Sequence, residues 1–200
     1  MTRVICDMSA SLDGYVTGPN DSRENPFGDG AGMLHDWIFD AATDEDRAIL
    51  QDLRDSVGAV VMGRTSFDKN EGDGGWGDGG PLGDTPCFVV THHEPTRAHP
   101  PLYTFVTDGV VRAIEQAKQT AGDKIVSLFG ATVMQQALPL GLVDELRVHV
   151  IPVLLGGGTP LFATLDSAIR LERTQVLVTP AATHLGFRVA QVSPESAPHC

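Results

Sequence analysis

The 200-residue chain is predicted to be an α/β protein, with a mainly parallel central sheet and antiparallel strands at its C-terminal end. Three observations point there. Short β-branched runs alternate with helix-periodic segments through the first two thirds. The last third changes to a period of two. Fifteen of the 22 glycines gather in three stretches, 14–32, 72–83 and 156–158, which marks loops that approach a ligand or fold over one.

The elements follow in order. Val4-Ile5-Cys6-Asp7-Met8-Ser9 reads as a strand with Ile5, Asp7 and Ser9 on one face and Cys6 and Met8 on the other. Asp13-Gly14 turns the chain into a long loop. Thr43-x-x-Asp46 has the form of a capping box with Asp in place of Glu or Gln, and Ala48, Ile49, Leu53 and Val57 recur behind it at helical spacing. Val57–Met62 is a buried strand ending at Gly63-Arg64-Thr65, where a helix begins. Residues 70–84 form a glycine-rich loop around Trp76. Cys87–Thr91 and Leu102–Val106 are further strands. Asp108 is placed to cap a helix with Val110, Val111, Ile114 and Ala117 on one face. After the strand Ile125–Phe129, Gly130 opens a helix carrying Val133, Met134, Ala137 and Leu138. Leu146, Val148 and Val150 alternate with Arg147 and His149, and strand-like runs lie near 171–178 and 183–190. Residues 1–192 are expected as one domain, and 193–200 as a loose tail.

Composition narrows the function. Net charge is −12, and residues 1–84 hold 17 acids against 6 bases, so a phosphate backbone is repelled and nucleic acid is not expected as a partner. No apolar run approaches the roughly 18 residues of a membrane span, and the N-terminus lacks a signal-peptide pattern. Cys6, Cys87 and Cys200 are odd in number and far apart, which suits a reduced, cytoplasmic chain. Gly75-x-Gly77-x-x-Gly80 and Gly72-x-Gly74-x-x-Gly77 match the dinucleotide fingerprint as strings. Neither lies between a strand and an apolar helix, and Asp73 and Asp78 would face the pyrophosphate, so both are set aside. The seven histidines show no metal-ligand spacing, and no metal is expected.

Three strand ends remain: Gly63-Arg64-Thr65, Thr91-His92-His93 and Gly130-Ala131-Thr132. Ligands of open α/β sheets bind outside the carboxyl ends of the strands, where helix N-termini offer free N–H groups. Arg64 adds a fixed charge there. Thr91, His92 and Arg97 can hold a second phosphate, such as the 2′-phosphate of NADP. Each strand end is also explicable as a cap or turn; three in one sheet point to a dinucleotide.

For proton chemistry Asp7 is the first candidate, a charge at a mid-strand position that a central strand normally makes apolar. An edge strand or a hydrogen-bonded structural Asp is the alternative. Asp13 is the second candidate, or else a turn residue fixing its loop. Asp36 and Trp37 are candidate substrate contacts, Trp37 by stacking on a planar heterocycle or else by packing in the core or lid. Leu155, Gly156 and Gly157 can wall the substrate pocket or form a tight turn.

Ser11-Leu12-Asp13-Gly14-Tyr15, Val60-Val61-Met62-Gly63-Arg64-Thr65, and Val143-Asp144-Glu145-Leu146 leading to Pro152-Val153-Leu154-Leu155-Gly156-Gly157-Gly158 occur in family order. On these motifs residues 3–190 resemble the dihydrofolate reductase-like superfamily. Among its members they are most similar to the riboflavin-biosynthesis pyrimidine reductase domain and its stand-alone relatives. The resemblance implies the three-layer dihydrofolate reductase-like fold, NADPH as cofactor, a small-molecule substrate beside the nicotinamide and a homodimer. It places cofactor contacts at Ser9, Gly63, Arg64, Thr65, Thr91, His92, Gly130, Ala131, Thr132 and Val133. Asp13 matches the family's S-L-D-G aspartate. The family usually has adjacent glycines where this chain reads Gly130-Ala131. A reductase of another heterocycle or carbonyl compound, and a nucleotide-binding protein without turnover, are the alternative readings.

Overall fold

The sheet is built outward from the first strand, β1 (Val4–Ser11), which runs two residues further than its apolar pattern suggests. A computed structural model describes residues 2–72 and 75–190. The expected tail at 193–200 lies outside these residues, as do Asp73 and Gly74. Beyond β1 come α1 (Asp44–Ser56), β2 (Val57–Gly63), α2 (Arg64–Asn70), β3 (Cys87–Val90), β4 (Tyr103–Val106), α3 (Gly109–Ala121), β5 (Ile125–Phe129), α4 (Ala131–Ala137), β6 (Glu145–Ile151), β7 (Leu171–Val178) and β8 (Thr183–Val189). The strands form one sheet in the order β4-β3-β2-β5-β1-β6-β8-β7. Pairing is parallel from β4 to β6 and antiparallel in β6-β8-β7.

The parallel strands are covered on both faces, so they need apolar residues at consecutive positions; Ala59, Val60, Val61 and Met62 of β2 are all buried. On one face Val4, Cys6, Val61 and Leu128 pack against Val110, Ala113, Ile114 and Ala117 of α3 and Val133, Met134 and Ala137 of α4. On the other, Ile5, Val60 and Met62 meet Phe67 of α2 and Leu53 of α1. Burying Phe67 completely is worth about 1.5–3 kcal/mol, which anchors a helix of only two turns. A 3₁₀ turn at Gly32–His35 carries Leu34 and the following Trp37 onto that same face beside β6 and β8.

Thr43 and Asp46 do form the capping box, with both reciprocal hydrogen bonds present. Asp108 does not cap α3 as expected: it occupies the N-cap position, but its side chain accepts no backbone N–H. Backbone geometry explains this, since its ψ of 16° departs from the extended conformation that turns an N-cap side chain over the first turn.

Candidate active site

Strands β2 and β5 are neighbours, so the heads of α2 and α4 lie side by side at one end of the sheet. Gly130 precedes α4 with φ 97°, and a Cβ there would stand 2.5 Å from Ser66 Oγ of α2, so glycine is favoured by its conformation, and any side chain there must displace the Ser66 hydroxyl. The Ala131 methyl is turned into the core with Val133. It therefore points away from the strand end. Thr65 and Thr132 are exposed. The Arg64 guanidinium donates to Asp68 Oδ1 at 2.7 Å and lies 5.9 Å from the Phe67 and Phe105 ring centres.

The third strand end is built differently from expectation. The buried Thr91 hydroxyl donates to the His93 carbonyl at 3.1 Å, and His92 is exposed. Arg97 is ion-paired with Glu71, which also lies 3.3 Å from His99 and 3.8 Å from Arg23.

Two glycine clusters turn out to meet each other. Val16 N–H donates to the Thr159 carbonyl, Leu161 N–H to the Gly14 carbonyl, and Tyr15 bridges Pro160. A Cβ at Gly158, where φ is 119°, would overlap the Thr17 carbonyl oxygen. Asp13 ties the same seam: its carboxylate accepts from Ser11 Oγ–H at 2.6 Å and from the N–H groups of Leu155 at 3.1 Å and Gly156 at 2.7 Å. Those hydrogen bonds, Ser11 foremost, hold its carboxyl below the usual carboxylate range. Asp13 thus serves as the turn residue that joins the two loops. Gly157 lies beside Pro19, and Asp36 is exposed at the edge of the 3₁₀ turn.

Asp7 occupies no edge: β1 is central, between β5 and β6. Its side chain is 6% exposed, Oδ1 stands 2.9 Å from His149 Nε2, and Oδ2 is buried without a partner among the described residues. His149 Nδ1 lies 2.7 Å from His184 Nδ1, and His184 Nε2 lies 2.9 Å from Asp46 Oδ1. Thr43 N–H and Oγ–H both donate to Asp46 Oδ2 at 2.8 Å. Burial alone would raise the Asp46 carboxyl, but the hydrogen bonds from Thr43, Thr179 and His184 outweigh it and bring the carboxyl below its usual range. Burial, and then the charge of His149, hold the His184 ring below the usual imidazole range.

Trp37 closes over this chain of groups. Its indole N–H donates to Ser9 Oγ at 2.8 Å, and its ring lies 4.3 Å from His149 and 5.0 Å from His184. At 2% exposure it is spent on the protein, so stacking on a ligand is corrected to core packing. Ser9 is likewise occupied by Trp37.

His149, His184 and Asp46 were not among the expected site residues. In β6 the polar face carrying Arg147 and His149 reads as the solvent side, yet His149 is 2% exposed because the Trp37 segment and α1 cover it. Among the described residues no cluster of three or more His, Cys, Asp or Glu side chains is arranged to hold a metal ion.

The comparisons with known proteins agree with this frame. The model of the RibD C-terminal domain matches residues 2–185. The uncharacterized protein YyaP of Bacillus subtilis (strain 168) is 27% identical over 182 residues, spanning 85% of each chain. A candidate riboflavin biosynthesis protein of Shewanella sp. PV-4 superposes with TM-score 0.70 at 23% identity, over 96% of this chain and 100% of that one. Dihydrofolate reductase of Enterococcus faecalis, solved with NADP(H) and RAB-propyl, superposes with TM-score 0.56 at 12% identity, over 94% and 97%. Three layers and this strand order make the fold dihydrofolate reductase-like, and the chain belongs to the family of RibD C-terminal domains.

Proposed function

We propose that the protein is an NADPH-dependent reductase of a small heterocyclic, carbonyl or imine substrate, resembling 5-amino-6-(5-phosphoribosylamino)uracil reductase of riboflavin biosynthesis. The observation that carries this reading is the strand end at Gly130, whose positive φ and close approach to Ser66 bring the heads of α2 and α4 together. We read this strand end as the seat of the cofactor's pyrophosphate. Gly63, Arg64, Thr65, Gly130, Ala131 and Thr132 would hold the cofactor there, with Val133 supporting the turn from inside and Thr91 and His92 alongside. NADPH supplies the hydride when bound. The protein's own part is to orient an electrophilic carbon and to supply a proton, for which Asp7 is the buried acid with an oxygen to spare. Asp36, Leu155, Gly156 and Gly157 are read as the substrate side, with Asp13 fixing their loop.

The exposed edge strand β7, with Leu171, Val176 and Val178 in solvent, supports a homodimer through the antiparallel end of the sheet. Free, buried Cys6 and Cys87 suit the reducing cytoplasm. Among the described residues no helix is long and apolar enough to cross a membrane. We read residues 1–192 as one reductase domain.

The test is a thermal-shift comparison of NADPH, NADH and buffer. A ligand at about 100 times its dissociation constant stabilises by roughly 2.7 kcal/mol, a shift of several degrees for a chain of this size. NADPH should shift the transition more than NADH. The absence of a shift with either one sinks the reductase reading.

A further inference from the structure

The chain Thr43–Asp46–His184–His149–Asp7 crosses from the head of α1, through β8 and β6, to the middle of β1. Its proton count is fixed by geometry. A 2.7 Å contact between two ring nitrogens needs one proton between them: with none, the lone pairs repel, and with two, the hydrogens collide. Each 2.9 Å contact from an Nε2 to a carboxylate needs one more. Three protons therefore serve two carboxylates and two imidazoles, leaving the unit with a charge of −1 wherever the protons sit. One further proton on the bare Asp7 Oδ2 makes the whole unit neutral.

The two ends differ. At the Asp7 end the second oxygen is buried and has no partner among the described residues. At the other end Thr43 is partly exposed, and its hydroxyl donates to Asp46 Oδ2 while accepting the Asp46 N–H at 3.2 Å. Neighbouring charges are committed elsewhere. Arg147 of β6 pairs with Glu145 at 2.7 Å and with Asp52 of α1 at 3.1 Å, Cys6 faces the opposite side of the sheet, and Thr179 Oγ lies 3.3 Å from His184 Nε2.

We propose that Thr43, Asp46, His184 and His149 form a proton wire that resupplies Asp7 from the surface at the head of α1. When Asp7 gives its proton to a ligand heteroatom, its O–H bond breaks and the new bond to hydrogen forms. His149 then gives its Nε2 proton to Asp7 Oδ1 and takes one at Nδ1 from His184, and a turn of the Asp7 carboxyl carries the new O–H to the ligand side. His184 keeps the proton it shares with Asp46 Oδ1, and the one lost from the unit is made good at Asp46 Oδ2, where Thr43 passes in one proton from water. One proton leaves and one enters. His149, His184, Asp46 and Thr43 are positioning and relay residues; only Asp7 meets the ligand. The destination at Asp7 rests on the reductase reading above, whereas the wire itself does not.

The experiment needs no substrate. In the full chain labelled with nitrogen-15 histidine, one strongly deshielded ring proton should correlate with Nδ1 of both His149 and His184. It should vanish in His149→Gln and in His184→Gln. Thr43→Val, which keeps the side chain's shape, should slow exchange of that proton with water by about tenfold, equivalent to a small added barrier, and Thr43→Ser should restore the rate. Two ring protons titrating independently overturn the proposal, and so does exchange in Thr43→Val that is unchanged or faster. NADPH thermal shifts on the same samples separate the two readings: a shared proton without cofactor binding removes the reductase, and binding without a shared proton removes the wire.

Discussion

Asp46→Ala is the most demanding perturbation of this fold, because one carboxylate serves both a helix cap and the buried histidine pair. Asp46 is 0% exposed. Its loss strands Thr43 N–H, which has Asp46 Oδ2 as its acceptor, and leaves the His184 Nε2–H with only a 3.3 Å contact to Thr179 Oγ. A buried donor left unpaired costs about 1–3 kcal/mol, and two are left so here. We expect about 3–5 kcal/mol in all. For a chain of this length each kcal/mol moves the transition by about 2–4 °C, so Tm should fall by about 6–20 °C. Urea unfolding followed by circular dichroism gives the free energy directly, provided the slope is unchanged. Asp44→Ala, at an exposed position in the same turn, is the control and should not move the midpoint. In a double-mutant cycle with His184→Gln the two costs should fail to add by about 0.5–3 kcal/mol. A loss in Asp46→Ala below about 1 kcal/mol, or strict additivity with His184→Gln, refutes the account.

Acid should destabilise the protein before its carboxylates titrate. The folded-state value of His35 is lowered, mainly by burial, so its unfolded imidazole near 6.5 binds a proton that the folded chain refuses. The contribution of His35 is then full above about pH 7.5 and falls as pH drops through 6.5 towards the folded value; Asp46, also lowered, extends the loss below 3.8. A urea midpoint that stays level from pH 8 to pH 5 contradicts this. Gly158→Ala should cost at least about 2 kcal/mol, since the new Cβ overlaps the Thr17 carbonyl and φ is 119°; an unchanged Tm would show that the two loops do not close as described. Sedimentation as a 21.3 kDa species at micromolar concentration would remove the dimer.

Local chemistry was readable in the chain. The capping box at Thr43 and Asp46 closes within four residues, so its side chains and acceptors are written next to one another. Apolar runs such as Val57–Met62 mark strands covered on both faces, and the switch to alternation after residue 145 marks the antiparallel end. The placing of Asp7 at mid-strand was legible in the same way, as a charge interrupting an apolar pattern. Asp108 shows the limit of such reading: the right residue stood at the right position, and the backbone turned the wrong way.

What only the tertiary structure decided is partnership over long separations. Asp7 and His149 lie 142 residues apart, His149 and His184 35 apart, and His184 and Asp46 138 apart, so no window of sequence holds two of these contacts. Burial decided the rest. Arg147 and His149 share a face whose pattern reads as solvent, and it became interior because a loop segment bearing Trp37 and the helix α1 happened to be laid over it. The sequence by itself determined the elements and the parallel-to-antiparallel switch, because each depends on neighbouring residues, whereas the approach of Ser66 to Gly130 came from the fold. The folded chain decided which polar groups lost their water, and a buried polar group takes its partners and its protons from whatever the fold brings beside it.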